Sequence, residues 1–508
     1  MNIRTYINWI MGILLALTSL SCNDFLTQEP ENGVTNLNYW RNEQDVESAV
    51  YGMHSEFRDC FGNVVILYRD RAWPFDVLGN TWTKISNLDM SDFVNNSPEF
   101  SWWREYDVIV RANLILDNIY RADLPEGREH FYTGQALCIR AYTYFNIIRC
   151  WGDAPLVTKS EDVGEKPRTA WQDIAAFIIK DLQEAAKLLP PAGELKYADG
   201  GTILSKQIPS RQTANAILAQ AYAWMAGVNH QPELWAAAAV AADAVINSGD
   251  YDLVGTPEEV CEIVLKGNSR EGILELNYDK NSPNDLKDYG SYIAGACQRW
   301  PIQSMTTVAT KRTPRINNST IMALYPDVTD GRRDAYFWKL DSMADVATTT
   351  TQGAAYIQKW RHPLNWTDGA QTGRIRYYED NDILIRLADI ILLRAEAKEK
   401  LGDSGGAIAD LDRVRERAGA KKYSASEGSL AEAIATERER ELFLEGINTR
   451  YYDIVRNGTF REKLRGGFKT LTDEDVRRGA LFLPVSSDVA RYNTLARQTE
   501  YWTAVFPF

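Results

Sequence analysis

Small residues at helical spacing constrain this chain more than any other feature. In "DILIRLADIILLRAEAKEKLGDSGGAIADLDRVRERAG", residues 382–419, Ala395, Gly402, Ala407 and Leu411 stand at the offsets of a tetratricopeptide helix-turn-helix. "IPSRQTANAILAQAYAWMAG" and "ELWAAAAVAADAVINSG" are alanine-rich on facing surfaces, so their two backbones can pack closely. A hairpin of this kind cannot bury its apolar face alone and must stack on its neighbours. The expected fold is mainly α: tetratricopeptide-like helical hairpins forming a scaffold, with a long irregular, loop-rich insert containing short strands.

Other segments fill in that scheme. In "NLNYWRNEQDVESAVYGMHSEF", Asn42 can cap a helix, Glu43 and Asp45 suit its positive end, and Val46, Ala49, Val50 and Met53 share a face. "WWREYDVIVRANLILDNIY" and "GQALCIRAYTYFNIIRCWG" read as amphipathic helices of about five turns each, the second ending at Gly152. "AWQDIAAFIIKDLQEAAKLLP" is stopped by Pro190 and Pro191, and "LAEAIATERERELFLEGINTRYYDIVRNG" reads as one further helix. Trp73 to Phe100 has no sustained period and reads as a long ordered loop. Residues 254–375 are rich in Gly, Asn, Pro, Thr and aromatics, with strand-like runs such as the alternating "GILELNY". The helical scaffold is therefore placed at 34–253 and 376–508, and the irregular insert at 254–375. Arg140, Arg386, Arg394 and Glu396 lie on otherwise apolar faces, where a charge is tolerated only if paired, so internal ion pairs are expected.

The first residues read as a targeting segment. Arg4 supplies a basic start, and Ile7 to Leu17 are apolar but too short to span a bilayer. Small residues and then Cys22 end this run, the arrangement of a bacterial lipoprotein signal, although Ser19 replaces the usual aliphatic residue. Without Cys22, an odd set remains (Cys60, Cys138, Cys150, Cys261 and Cys297) with no CxxC, which suits buried thiols rather than a disulfide framework. A formal net charge of -13 argues against a nucleic-acid surface. Four scattered histidines, none paired at i, i+4, argue against a histidine metal centre. Oxygen side chains recur from Asp279 to Asp285, but the EF-hand register and its glycine are absent, so no metal and no cofactor is assigned. Part of the 15 Trp and 25 Tyr belongs to the core, but so many flat amphipathic rings also suit recognition of sugars or peptides.

From Cys22 onward the chain resembles the RagB/SusD family, surface lipoproteins of Bacteroidetes nutrient-uptake systems. The likeness rests on "CNDFLTQEP", "RANLILDNI", "ALCIRAYTYFNIIRCWGDAPLV", "IIKDLQEAAKLLP", "SRQTANAILAQAY", "LWAAAAVAADAVINSGDYDLV", "LYPDVTDGRRDAYF", "IRLADIILLRAEA", "LDRVRERAG" and "TERERELFLEG", in the family's order. Two places depart from it: Ile447, Asn448 and Thr449 precede Arg450 where one residue is usual, and the C-terminus lacks the usual Asn-Pro and Gln-Asn pairs.

The resemblance implies a signal peptide at 1–21, a lipid-anchored tether at 22–33 with Cys22 as the lipidated residue, and a SusD-like domain at 34–508. It implies a non-enzymatic glycan binder on the outer membrane, facing outward, that delivers oligosaccharides to a SusC-like TonB-dependent transporter. Peptide capture, as in RagB-like branches, and a scaffold with no ligand contact of its own are the alternatives. The family's ligand surface maps onto the loop before the Trp-x-x-x-Tyr helix, here Trp73 to Asp92, and onto the irregular insert, here roughly Asp279 to Trp366. The candidates are Arg71, Trp73, Asp76 and Trp82 from the first, and Tyr289, Tyr292 and Trp300 from the second. Trp102, Trp224 and Trp235, being helical, are expected in the core. A glycosidase would need two carboxylates set across the scissile bond, and no pair stands out among the acidic residues.

Overall fold

A computed structural model describes residues 39–63, 87–94, 101–162, 164–278, 287–288, 316–343, 355–373, 375–447 and 449–506. Asn42 caps the first helix as its position predicts: its Oδ1 accepts from Asp45 N at 3.1 Å. Helix α1 (Glu43–Asn63) then buries Val46, Val50 and Met53. The helices that follow are α2 (Trp103–Asn118), α3 (Glu126–Trp151), α4 (Trp171–Leu188), α5 (Arg211–Val228) and α6 (Leu234–Ile246). After the insert come α7 (Leu387–Lys400), α8 (Ser404–Ala418), α9 (Leu430–Glu441) and α10 (Thr449–Arg456). From α1 to α8 each helix packs on the next, and α6 packs directly on α7. The stack therefore runs unbroken across the long excursion between Ile246 and Leu387.

Local chemistry explains these limits. Gly152 takes φ 72°, so α3 stops at Trp151. Ser210 and Thr213 form a reciprocal capping box at the start of α5. In the α7–α8 hairpin Ala395, Ala407 and Leu411 are fully buried, and Gly402 at φ 82° makes the turn, as the tetratricopeptide spacing predicts. Trp102, Trp224 and Trp235 are in the core. Cys60, Cys138, Cys150 and Cys261 are buried and form no disulfide among the described residues; Cys297 lies outside the described residues.

The structure corrects four details. Helix α3 begins at Glu126, two turns earlier than its apolar period suggests. Its first turns are polar because Arg128 reaches across to Glu43 and Tyr132. Residues 382–386, which the sequence reading placed at the start of a helix, form a strand. Antiparallel strands β1 (Gly272–Leu276) and β5 (Asp382–Arg386) pair Gly272 with Arg386 and Leu276 with Asp382. A short, fully apolar run cannot by itself distinguish a buried strand from a helix. The alternation in β1 does not mark a solvent face, since all five residues are buried, Glu275 included. Glu275 Oε2 accepts from Asn268 N (2.7 Å) and Asn381 Nδ2 (2.8 Å), and burial pushes its carboxyl up to about 7. The last long helix is two, α9 and α10, broken where Leu444 and Gly446 take φ 58° and 69°. That break turns Glu445 inward. The strands β2 (Lys287–Asp288), β3 (Pro363–Asn365) and β4 (Ile375–Tyr378) form a second small sheet in the order β2-β4-β3.

The expected ion pairs are present. Arg140 Nε meets Asp181 Oδ2 at 2.8 Å, and Arg394 bridges Asp243 and Asp410, each at 2.6 Å. Glu396 pairs with Arg456. Arg386 sits at the centre of a larger network, contacting Glu271 (2.6 Å), Glu441 (2.7 Å) and Glu445 (2.6 Å). Arg332, which lies in the "TDGRR" turn, binds Asp330 (2.8 Å), Glu437 (2.6 Å) and Glu441 (3.1 Å). Lys359 joins at Glu445, Arg417 at Glu271 and Glu441, and Arg415 at Glu437. All are buried, and the network ties β5, α8 and α9 to the insert.

Removing one partner of such a network leaves uncompensated buried charge. Arg386→Met is expected to lower unfolding free energy by roughly 3–5 kcal/mol. Arg477→Ala, which removes the exposed pair with Glu474, is expected to stay within about 0.5 kcal/mol of the parent. Equilibrium urea unfolding of the two variants measures the contrast.

Candidate ligand-binding site

The candidates Arg71, Trp73, Asp76, Trp82, Tyr289, Tyr292 and Trp300 lie outside the described residues, as do Cys22 and Asp279–Asp285. The scaffold that carries them is described. Segment 64–86 departs from Asn63 at the end of α1, and segment 279–286 departs from Tyr278 just after β1. These departure points touch: a Cβ on Gly62 would stand 2.4 Å from Tyr278 Oη. Tyr278 is held in place, its Oη donating to Asp382 Oδ2 and its N to Asn381 Oδ1, both at 3.1 Å. Residues 64 and 279 therefore continue from neighbouring points of the scaffold, whereas Tyr289, Tyr292 and Trp300 follow β2 in the chain. Of the tryptophans left unassigned by sequence, Trp360 is buried, whereas Trp338 and Trp366 are half-buried.

Beside Tyr278 a cleft of about 460 Å³ opens between α1, the turn from Leu195 to Ile208, and Asn277 at the end of β1. It is lined by Tyr51, His54, Ser55 and Arg58 of α1, by Tyr197, Ser205, Gln207 and Ile208, and by Asn277. Its floor is stitched together across the fold. His54 Nε2 bonds Gln135 Oε1 on α3 at 2.9 Å, Gln207 Nε2 donates to the His54 carbonyl at 2.9 Å, and Asn277 N donates to Gln207 Oε1 at 2.9 Å. Asn277 Oδ1 accepts from Asn268 and Asn381, at 2.8 and 3.0 Å. No described residue bonds its Nδ2.

The rim is aromatic and open. Tyr51 is 46% exposed and Tyr197 37%. Tyr51 Oη donates to Glu47 at 3.1 Å, and burial with the nearby Glu47 carboxylate pushes its hydroxyl up to about 12. Burial pushes the His54 imidazole down to about 4, against a partial counter-effect from its bond to Gln135, so the floor is neutral. Sequence reading passed over both tyrosines. Tyr51 lies off the Val46–Val50–Met53 face and was legible as an outward ring; Tyr197 sits in a turn that had no helical or strand period to mark it. Among the described residues no three His, Cys, Asp or Glu side chains are grouped to hold a metal ion, and no helix is long and apolar enough to cross a membrane.

Two sequence families match the chain: the SusD family over residues 300–501, and one described as "Starch-binding associating with outer membrane" over residues 62–223. The SusD-like protein P38 of Formosa agariphila is 24% identical over 508 aligned residues, covering 91% of this chain and 93% of the relative. A solved SusD homolog from Bacteroides thetaiotaomicron superposes with TM-score 0.76 at 22% identity, covering 91% of this chain and 99% of that one. A laminarin-binding SusD-like protein superposes with TM-score 0.68 at 22% identity, covering 89% and 98%. At these identities the structural likeness is one of fold. The chain belongs to the SusD/RagB family of SusD-like proteins. That family consists in general of binding proteins rather than enzymes and is named for its association with the outer membrane.

His54 provides a check on the cleft floor. Its depressed value means the unfolded chain takes up a proton first, so stability falls as pH drops from about 6.5 towards 4, by up to about 3 kcal/mol. NMR titration is expected to place the His54 midpoint near 4, and a His54→Gln variant should lose that share of the acid sensitivity in urea unfolding.

Proposed function

We propose that this protein is a non-catalytic glycan-binding lipoprotein of the outer-membrane surface, capturing oligosaccharides and delivering them to a SusC-like TonB-dependent transporter. The observation that carries this reading is the pair of family matches, which cover residues 62–223 and 300–501 and take in Arg71, Trp73, Asp76, Trp82 and Trp300. The closeness of Gly62 and Tyr278, after which the first predicted segment and residue 279 follow, supports it, as does a laminarin-binding protein of the same fold.

In this reading residues 1–21 are a signal peptide and 22–33 a tether anchored by lipid on Cys22. Residues 34–508 are the SusD-like domain, its helical scaffold at 34–253 and 376–508 flanking a ligand-side insert at 254–375. Trp73, Trp82, Tyr289, Tyr292 and Trp300 stack on the apolar C–H faces of sugar rings, while Asp76 and Arg71 hydrogen-bond the hydroxyls. Water competes for every hydroxyl, so the aromatic faces supply the net affinity and the polar groups select among sugars.

Titration of a panel of neutral oligosaccharides is expected to show binding that falls about tenfold in a Trp82→Ala/Trp300→Ala variant. Release of reducing ends from the panel would overturn the non-catalytic reading. Retention of peptides but not glycans would shift the ligand class. Separately, Cys22→Ala is expected to move the protein from the membrane pellet to the soluble fraction on cell fractionation.

A further inference from the structure

The cleft between α1, the Leu195–Ile208 turn and Asn277 is not among the predicted ligand segments. We infer that it is a second carbohydrate-binding surface, taking a neutral, hydroxyl-rich oligosaccharide. This rests on the glycan-binding reading but concerns different residues.

Four observations carry the inference. The volume, about 460 Å³, falls within the range of small-ligand sites. Two rings, Tyr51 and Tyr197, stand partly exposed on the rim, although burying them would have been favourable. The remaining lining is polar and supplies hydroxyl and amide groups from Ser55, Ser205, Gln207 and Asn277, including the Asn277 Nδ2 that no described residue bonds. Among the described lining residues Arg58 alone carries a formal charge, and its Nε lies 3.8 Å from Asp59 Oδ1; His54 is neutral. Such a lining matches a ligand that offers many hydroxyls and a few C–H faces. It suits an apolar ligand poorly, since among the described lining residues Ile208 alone is aliphatic.

The floor is also preorganised. The bonds that link His54, Gln135, Gln207 and Asn277 join α1, α3, the turn and β1, so the lining does not have to be ordered on binding. Tyr51 and Tyr197 are surface residues outside the core, so replacing them tests binding rather than folding.

The experiment measures laminari-, malto-, cello- and xylo-oligosaccharides by calorimetric titration against the wild type and against Trp82→Ala/Trp300→Ala. Binding that persists in the tryptophan variant is expected to fall about tenfold when Tyr51→Ala/Tyr197→Ala is added. Tyr51→Phe/Tyr197→Phe, which keeps the rings, is expected to retain most of it. Thermal melts of the tyrosine variants should match their parents. If the tryptophan variant binds nothing, or if its residual binding ignores the tyrosine changes, the cleft is not a glycan site and the proposed function stands. If the wild type binds none of the four series, both readings fall.

Discussion

Arg386 is the interaction on which the rest of the structure depends. It ends β5, begins the turn into α7, and meets carboxylates from before β1, from the end of α9 and from the segment after it. Around it, Arg332, Lys359, Arg386, Arg415 and Arg417 face Glu271, Asp330, Glu437, Glu441 and Glu445, five buried charges of each sign. Ion pairs at this depth contribute little net stability, because desolvation offsets much of their attraction. What they supply is register. Each guanidinium is satisfied only when helices, sheet and insert are all in place. The arginines hold Glu441 well below the usual carboxylate range, and Arg386 and Lys359 lower Glu445 as well. Their contribution is therefore fully present above the ordinary glutamate value and is lost only as pH falls through these depressed ones.

This anchoring explains how a stack of hairpins can tolerate so long an excursion. Because α6 packs directly on α7, the helical stack stays continuous across the excursion, and the insert adds Leu274, Ile321, Tyr336 and Trp360 to the same core. The insert is then free to vary in its outward residues while its base, β1 against β5, stays locked to Arg386. That base also sets Tyr278 and Asn277, and through them the neighbouring ends of α1 and β1. A binding surface built there inherits a rigid frame, as a weak, exposed site requires if ordering costs are not to consume its affinity.

Much of the scaffold was legible in the residues. The Asn42 cap, the Gly152 stop and the Gly402 turn each follow from a local rule that needs no partner element, and the arginines on apolar faces show that a partner must exist without naming it. The errors have one character. Residues 382–386, Glu275 and the break after Glu441 all involve groups whose environment is created by distant segments. An apolar run does not show whether a strand waits beside it, and a glutamate in an alternating pattern does not reveal that Asn268 and Asn381 will bond it. The cleft tyrosines were missed for the same reason: Tyr51 and Tyr197 are far apart in the chain and acquire meaning only as two walls of one space.

By itself, then, the amino-acid sequence determined the helical stack, its caps and turns and the need to pair its buried charges, because helix periodicity and desolvation act residue by residue; the ordered motifs carried the family resemblance. Tertiary structure alone decided which carboxylate meets which arginine, that 382–386 is a strand, and that α1, the 195–208 turn and Asn277 enclose a cleft. Those outcomes depend on the shapes and distances of elements remote in the chain, and no local pattern encodes them.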